Sequence, residues 1–434
     1  MEGSTLAKLS QERSPVTNRV AQVRAERSPD PGSGAPATPR GRRKPGGGAG
    51  QVSMDPVSVD AGANGADTAG LKAVAALAGR GAEAARPVVA VTGAATGLGL
   101  ALTERLAHSP LVGRVVAIDG SRGDVSGVTW RIVDVRDPAL AGRLSDVDVV
   151  VHTAVDCSPD SDARIRRAFN VRGAQTVLTA AAAGGVGRVV LVTSAMVYGA
   201  RPDNPVPLPE DSPLSVDSDD SVVSDLLEIE HLAERSARAH LGLQISVARP
   251  AALVGEAIDT LLTRHFEAPR LLAVKGSAAR WQFCHIDDLV SALELAVAGK
   301  VTGHFAVGCD GWLEQGELEE IAGLRRIELP AGLTFATAQR LHRAGMTPAP
   351  VADLRYVVYP WVVECQALRE AGWQPHYDNV AALEVLLAQR AGHHAVAGRR
   401  LGKKDATITA AGATVAVIGT AAVVRQVRRR RRGS

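Results

Sequence analysis

A doubly wound parallel α/β fold of the Rossmann type is predicted for the middle of this 434-residue chain, and three observations predict it. From Pro87 onward, short β-branched runs alternate with amphipathic stretches, the pattern of βαβ units whose sheet is covered on both faces. The first run leads through VAVTGAATGLG, which reads as a strand, a tight glycine turn and a helix start. A carboxylate, Asp119, closes the second run 26 residues after Gly93, where such a sheet meets the ribose of a bound dinucleotide.

The elements follow in order. Strands are predicted over Val88 to Thr92, Arg114 to Asp119, Val128 to Asp134, Val147 to His152, Arg188 to Ser194 and Gln244 to Arg249. Leu98, Ala101, Leu102 and Leu106 share one helical face, and Ala163 to Ala183 and Leu226 to Leu241 are long enough to cross over the sheet. Beyond Pro250 the alternation breaks down. Shorter elements such as His304 to Val307 and Glu317 to Ile321 lie among loops and prolines, which predicts a smaller lobe over the strand ends. The expected division is a low-complexity segment 1–86, a dinucleotide-binding domain 87–250, a smaller substrate lobe 251–395 and a tail 396–434.

Composition narrows the function classes. Residues 1–86 are rich in Gly, Ala, Pro, Ser and Arg and hold too little apolar surface to offset chain entropy, so disorder is expected there, with a weak helix over 71–85. Met54 is a second candidate start of translation. The net charge of +3 is near balance, so the body is not expected to bind nucleic acid specifically, and small-molecule partners are expected instead. Cys157, Cys284, Cys309 and Cys365 are widely spaced without a CxxC pair. They read as buried thiols of a cytoplasmic protein, with neither a disulfide framework nor a metal site. No secretory signal is expected, because charges at Lys8, Glu12 and Arg13 interrupt the amino terminus. Residues 406–424 form an uncharged run of 19, just long enough to span a bilayer, between Arg399–Lys404 and the Arg428–Arg432 cluster. Its Ala, Thr and Gly favour insertion less than Leu or Phe would. Two readings stay open, a membrane anchor on the cytoplasmic face and a helical or disordered tail whose arginines attract anionic lipid.

In the glycine turn, Gly93 suits the bend, Gly97 lets backbone approach a pyrophosphate, and Gly99 lets the helix pack on the strand. With Ala95, Thr96 and Leu98 they form the expected cradle, in which phosphate oxygens face free N–H groups at the positive end of the helix. Asp119 would accept hydrogen bonds from the adenosine ribose and repel a 2′-phosphate, so NAD is expected over NADP. Arg122 nearby keeps NADP open.

The segments VTGAATGLG, VVAIDG, IVDVRD, VDVVVHTA, NVRGAQTVLTAAAAGGVGRVVLVTSAMVYG, ISVARPAALVG and WQFCHIDDLVSALELA follow one another as in a known family. In their order the chain resembles the NAD-dependent epimerase/dehydratase branch of the extended short-chain dehydrogenases, and within it the actinobacterial UDP-glucose 4-epimerase-like proteins. The resemblance covers Val88 to Gly308. It implies that Asp134 and Val135 flank the adenine, that His152, Thr153 and Ala154 line the cofactor, and that Asn170 sits in the central helix. It implies further that Ser194 is the active-site hydroxyl, that Arg249 and Pro250 precede the substrate lobe, and that His285 and Asp288 form its HxxD segment. A nucleotide sugar and a homodimer through the two long helices are likewise what the resemblance implies.

Three departures from that family stand out. The glycines are spaced TGxxxGxG rather than TGxxGxxG. The YxxxK pair is absent: aligning Glu234 with the acid that follows the usual lysine puts Leu226 and Glu230 in the Tyr and Lys positions. That pair matters because a tyrosine of ordinary pKa near 10 needs a neighbouring ammonium to move protons at neutral pH, and Glu230 would reverse that charge. The loop 201–224 is acidic, with Glu210, Asp211, Asp217, Asp219 and Asp220, and reads either as a solvated charged loop or as a screen against anionic ligands.

The remaining candidates for proton transfer are few. Ser194 could polarise a substrate. Tyr198 is the one tyrosine near the fifth strand, either packing or moving protons. His285 is a candidate base or a structural residue, and His152 reads as a core histidine. Glu228 and Glu230 lie on different helical faces and cannot act as a pair, although one of them could face the cleft. Two functions follow: an atypical enzyme acting on a nucleotide sugar or related alcohol, or a catalytically silent NAD(H)-binding sensor or scaffold.

Overall fold

β-Branched side chains buried on both faces define the central strands. Val89, Val91, Val150, Val151, Val189 and Val190 have no exposed surface, as expected where helices cover a parallel sheet on each side. The computed structural model describes residues 86–215, 221–344, 347, 350–390, 395–396 and 399–400. The expected helix 71–85, the uncharged run 406–424, the Arg428–Arg432 cluster and Asp217, Asp219 and Asp220 lie outside the described residues.

In chain order the strands are β1 (Val88–Thr92), β2 (Arg114–Asp119), β3 (Thr129–Ile132), β4 (Val149–His152), β5 (Arg188–Val192) and β6 (Gln244–Pro250). They interleave with the helices α1 (Gly97–Ala107), α2 (Ala163–Gly184) and α3 (Val222–Ala239). After them come β7 (Ala252–Val254), α4 (Leu261–His265), β8 (Leu271–Val274), β9 (Arg280–Trp281), β10 (Phe283–His285), α5 (Ile286–Val297) and β11 (His304–Val307). The sheet runs β3-β2-β1-β4-β5-β6-β11 among the described residues, and every neighbouring pair is parallel. Chain direction across the sheet reverses between β1 and β4. That reversal opens a crevice beyond their carboxyl ends, where Thr92 lies opposite His152.

Local signals account for most boundaries. Asp162 caps α2 by accepting from the Arg164 and Ile165 N–H groups, and Gly185 ends the helix in the left-handed region at φ +74°. Helix α3 starts four residues before the predicted Leu226, because the Ser221 hydroxyl accepts from the Ser224 N–H and caps it there. The third strand is shorter than predicted, and β6 runs one residue further, to Pro250.

The largest difference concerns His304–Val307. The sequence reading placed it among the elements of the smaller lobe, whereas it is the seventh strand of the main sheet, parallel to β6. Helix α5 likewise returns to the sheet: Leu289, Leu293 and Ala296 join Leu102 and Leu106 of α1 in the core on that face. The opposite face is filled from α2 and α3 by Val177, Leu178, Leu226 and Ile229. The lobe itself is built from two-stranded pairs: β7 with β10, β8 with Arg326–Leu329, and β9 with Leu313–Glu314.

Two histidines are expected to make the fold acid-sensitive. His152 has no exposed surface and His265 is partly buried; among the described residues each has a buried Nε2 atom without a partner, and burial lowers both to about 4 from 6.5. The unfolded chain takes up these protons at higher pH than the folded one, so stability falls as pH drops from about 6.5 towards 4. His265 stacks on Trp281 at 5.7 Å, a place a phenyl ring can take. Urea unfolding of His265→Phe is expected to show a visibly flatter loss of stability over that window; an unchanged slope would rule His265 out as a contributor.

Candidate functional site

The cradle beyond β1 is built as its glycines require. Gly93 turns the chain at φ +77° and donates to the Ile118 carbonyl at 2.9 Å. Gly97, at φ +53°, has open space on the side where a Cβ would stand, and it lines the cleft. A Cβ on Gly99 would lie 1.9 Å from the Gly93 carbonyl oxygen, so only glycine lets α1 sit this close to the turn. Thr96 precedes α1 in extended conformation and makes no side-chain cap hydrogen bond. The first-turn N–H groups are therefore left for a ligand, at the end of the helix that favours an anion.

Asp119 stands at the lip of this cradle. Its carboxylate accepts from the Ala95 N–H at 3.1 Å and from the Ser121 N–H at 3.3 Å. Arg122 is exposed and is not among the residues lining the cleft, which leaves a negative edge suited to a ribose diol. Further along, Asp134 is gripped by Arg136, whose Nε donates at 2.9 Å and which holds the carboxyl down at about 2. Val135, Thr153 and Ala154 complete this wall. Ala95, Gly99 and Asn170 sit behind it. The Asn170 amide accepts from the Asp156 N–H at 2.8 Å and donates to the Asp156 carbonyl at 3.0 Å, so it shapes the loop after β4 without lining the cleft.

From the cradle a cavity of about 580 Å³ continues past Ser194 to lobe residues that include Leu253, Ile258 and Leu262. Ser194 caps the single turn Ala195–Tyr198 and accepts from the Met196 N–H at 3.2 Å. Its hydroxyl is 3.4 Å from the Pro250 carbonyl, a long contact that leaves its proton available.

Tyr198 is removed from the catalytic candidates. It is buried away from the cavity lining, donates to the Glu210 carbonyl at 2.7 Å and accepts from Arg249 Nη1 at 2.8 Å. Burial raises its phenol above the usual value.

Glu230 also differs from expectation. Its charge does not confront the cleft: the carboxylate is fully buried, takes both 3.1 Å contacts of Arg249 Nε and accepts from the Thr193 hydroxyl at 2.8 Å. Glu228 pairs with Arg235 at the surface, so neither glutamate lines the cavity. In the Tyr position Leu226 contributes an apolar wall. His285 is structural too: its Nδ1 accepts from the Asp287 N–H at 3.2 Å, and its ring stacks on Tyr377 at 3.7 Å. Asp288 fastens the same segment by accepting from the His376 and Tyr377 N–H groups. Nor is Glu210 a solvated member of an acidic loop, because its carboxylate accepts from the Ala306 and Ala367 N–H groups at 2.7 and 2.9 Å.

Sequence reasoning missed a second cluster in the wall. Arg166 is buried in α2 and lines the cavity, with its Nε donating to Asp225 at 2.9 Å. Its signal was its place one turn before Asn170 on the same helical face. Asp353, on the single turn Val351–Leu354, lines the cavity from the far side of the chain and had no signal in the sequence. Cys157 is there as well, but burial pushes its thiol up to about 12, so it is no nucleophile at neutral pH.

Strand order, glycine cradle and acidic lip together define a dinucleotide-binding doubly wound protein. The model of the NAD dependent epimerase/dehydratase family matches residues 89–308, and the chain belongs to that family. An uncharacterised protein of Mycobacterium tuberculosis (strain H37Rv) is 32% identical over 310 residues, covering 68% of this chain and 82% of that one. Among solved structures, the UDP-glucose 4-epimerase of Thermotoga maritima with UDP-glucose is similar at a TM-score of 0.52 and 18% identity, over 69% of this chain and 97% of that one. A dTDP-glucose 4,6-dehydratase double mutant from Streptomyces venezuelae, with NAD bound, is similar at 0.54 and 22%, over 70% and 97%. The residues of the cradle fit NAD, the cofactor of this family: Gly93, Thr96, Gly97 and Leu98 would hold the pyrophosphate and Asp119 the adenosine ribose.

Proposed function

We propose that this chain binds NAD in the cleft and holds a nucleotide sugar or related alcohol in the adjoining cavity, as an epimerase/dehydratase-type enzyme that works without the usual Tyr–Lys pair. One observation carries the reading: a single cavity joins the phosphate cradle to Ser194 and to a wall of lobe residues. Bound there, NAD would supply hydride acceptance. Ser194 would orient a hydroxyl or carbonyl of the ligand, and Leu226, Leu253 and Leu262 would keep water from it. The ligands bound in solved structures of similar fold, UDP-glucose and NAD, support this choice of ligand class.

The test is an NADH fluorescence titration followed by turnover assays with UDP-glucose and dTDP-glucose. Ser194→Ala is expected to lower turnover about a hundredfold while leaving NADH affinity within a factor of about two. Tight NADH binding with no turnover of any nucleotide sugar would favour the second reading, a silent NAD(H)-binding sensor or scaffold. Leu226 in the phenol's place is the observation that favours it. Residues 406–424 would hold either form at the membrane, which fractionation of cells with and without residues 406–434 decides. Pairing of two copies through α2 and α3 is part of the same proposal, to be read by sedimentation.

A further inference from the structure

The cavity has Leu226 where a phenol would stand, but among the described residues it holds one carboxylate with a buried oxygen that no described group satisfies. Among the described residues, the other carboxylates of the lining have a hydrogen bond on each oxygen. Asp119 accepts from the Ala95 and Ser121 N–H groups, and Asp134 is held by Arg136. Asp156 accepts from the Ser158 N–H and the Ser161 hydroxyl, and Asp259 from Nε and Nη2 of Arg264. Asp353 differs. It is 5% exposed, lines the cavity, and its Oδ1 is buried without a partner.

Leaving a buried carboxylate oxygen unpaired is costly unless a ligand or a proton completes it. We infer that Asp353 takes and returns the hydroxyl proton of the alcohol held in this cavity, in place of the phenol missing at Leu226. This rests on the reading of the cavity as an NAD and alcohol site. The alcohol's O–H proton passes to Asp353 Oδ1 and its C–H hydrogen leaves with the electron pair to oxidised NAD, so a carbonyl, a neutral carboxyl and reduced NAD account for every atom and electron.

The electrostatics suit that work. Burial raises the Asp353 carboxyl to about 7, with Arg166 lowering it and Asp225 raising it. The neighbouring helices carry Arg340, His342 and Arg343 in the last turn of Ala331–Arg343, and Arg355 after the turn that bears Asp353. Both protonation states are therefore populated at neutral pH, where a general acid or base is most effective. Arg166, which lines the same cavity and is tied to Asp225 behind it, acts with Asp225 on the electrostatic setting of that carboxyl.

Asp353→Asn keeps the shape and removes the proton site, so the full chain loaded with NAD provides the test. Infrared difference spectra of the wild type are expected to show a protonated carboxyl band that titrates near neutral pH and shifts when UDP-glucose is added; the variant is expected to lack it. Thermal unfolding gives a second readout. The folded state holds this proton up to about pH 7 whereas the unfolded chain loses it near the ordinary carboxylate value of 3.8, so wild-type stability falls as pH rises between the two and stays lowered above 7. The variant is expected to lose that slope and to melt a few degrees higher than wild type at about pH 8. A carboxyl band that persists in the variant, or one that ignores UDP-glucose although UDP-glucose binds, overturns the inference and leaves the functional reading intact. Failure of the wild type to bind NADH or UDP-glucose overturns the functional reading itself.

Discussion

Arg249→Met is expected to destabilise the protein by about 3–5 kcal/mol, because it strands the Glu230 carboxylate inside the core. Glu230 has no exposed surface and Arg249 is 4% exposed. Most of their hydrogen bonds join the two to each other, with the Thr193 hydroxyl, the Tyr198 hydroxyl and the Glu210 carbonyl as further partners. Removing one charge leaves its partner with neither water nor counter-ion. The double variant Arg249→Met/Glu230→Met buries no charge and is expected to recover most of the loss, since an apolar pair of similar volume often equals or exceeds a buried ion pair. Urea unfolding of the two variants decides the matter: a single variant within about 1 kcal/mol of wild type would mean that water reaches the pair. The same geometry explains why Leu226→Tyr with Glu230→Lys would not rebuild the family's usual pair. It would place an ammonium beside the Arg249 guanidinium in a dry core.

Gly99→Val is expected to abolish NADH binding, with affinity falling more than about a hundredfold, and to destabilise the fold by at least about 1–3 kcal/mol. The added Cβ would stand 1.9 Å from the Gly93 carbonyl oxygen and 2.6 Å from the Thr153 hydroxyl. Helix α1 would have to leave the turn, carrying its first N–H groups away from the phosphates. Gly142→Ala is the control: nothing lies within 4 Å of its Cβ, and both affinity and stability should hold. Fluorescence titration of Gly99→Val at wild-type affinity would show that the cradle is not the binding site.

Much of this architecture was legible because its signals are local. β1 and β2 were readable residue for residue, since the runs VVAVT and RVVAID are bounded by proline or glycine and serve one burial pattern. The cradle was legible for the same reason: Gly93, Gly97 and Gly99 lie within seven residues, and a strand and a helix flank them. His304–Val307 was not legible as a sheet strand. Four residues carry too little periodicity, and its partner β6 ends more than fifty residues earlier. Glu230 was readable as a departure from YxxxK, but its meaning was not, because Arg249 neutralises it from the next strand.

What the sequence by itself determined is the set of features that depend on neighbours along the chain: strand and helix periods, the glycine turn, the acidic strand end and the loss of the Tyr–Lys pair. Tertiary structure alone decided which groups share a low-dielectric cavity. Arg166, Ser194, Leu226 and Asp353 come from four separate elements, and only folding brings them to one cavity. Burial then set their chemistry, turning Tyr198 and Glu230 into partners of Arg249 and leaving an oxygen of Asp353 unsatisfied. Desolvation and ion pairing act through space, so the order of residues could not reveal them.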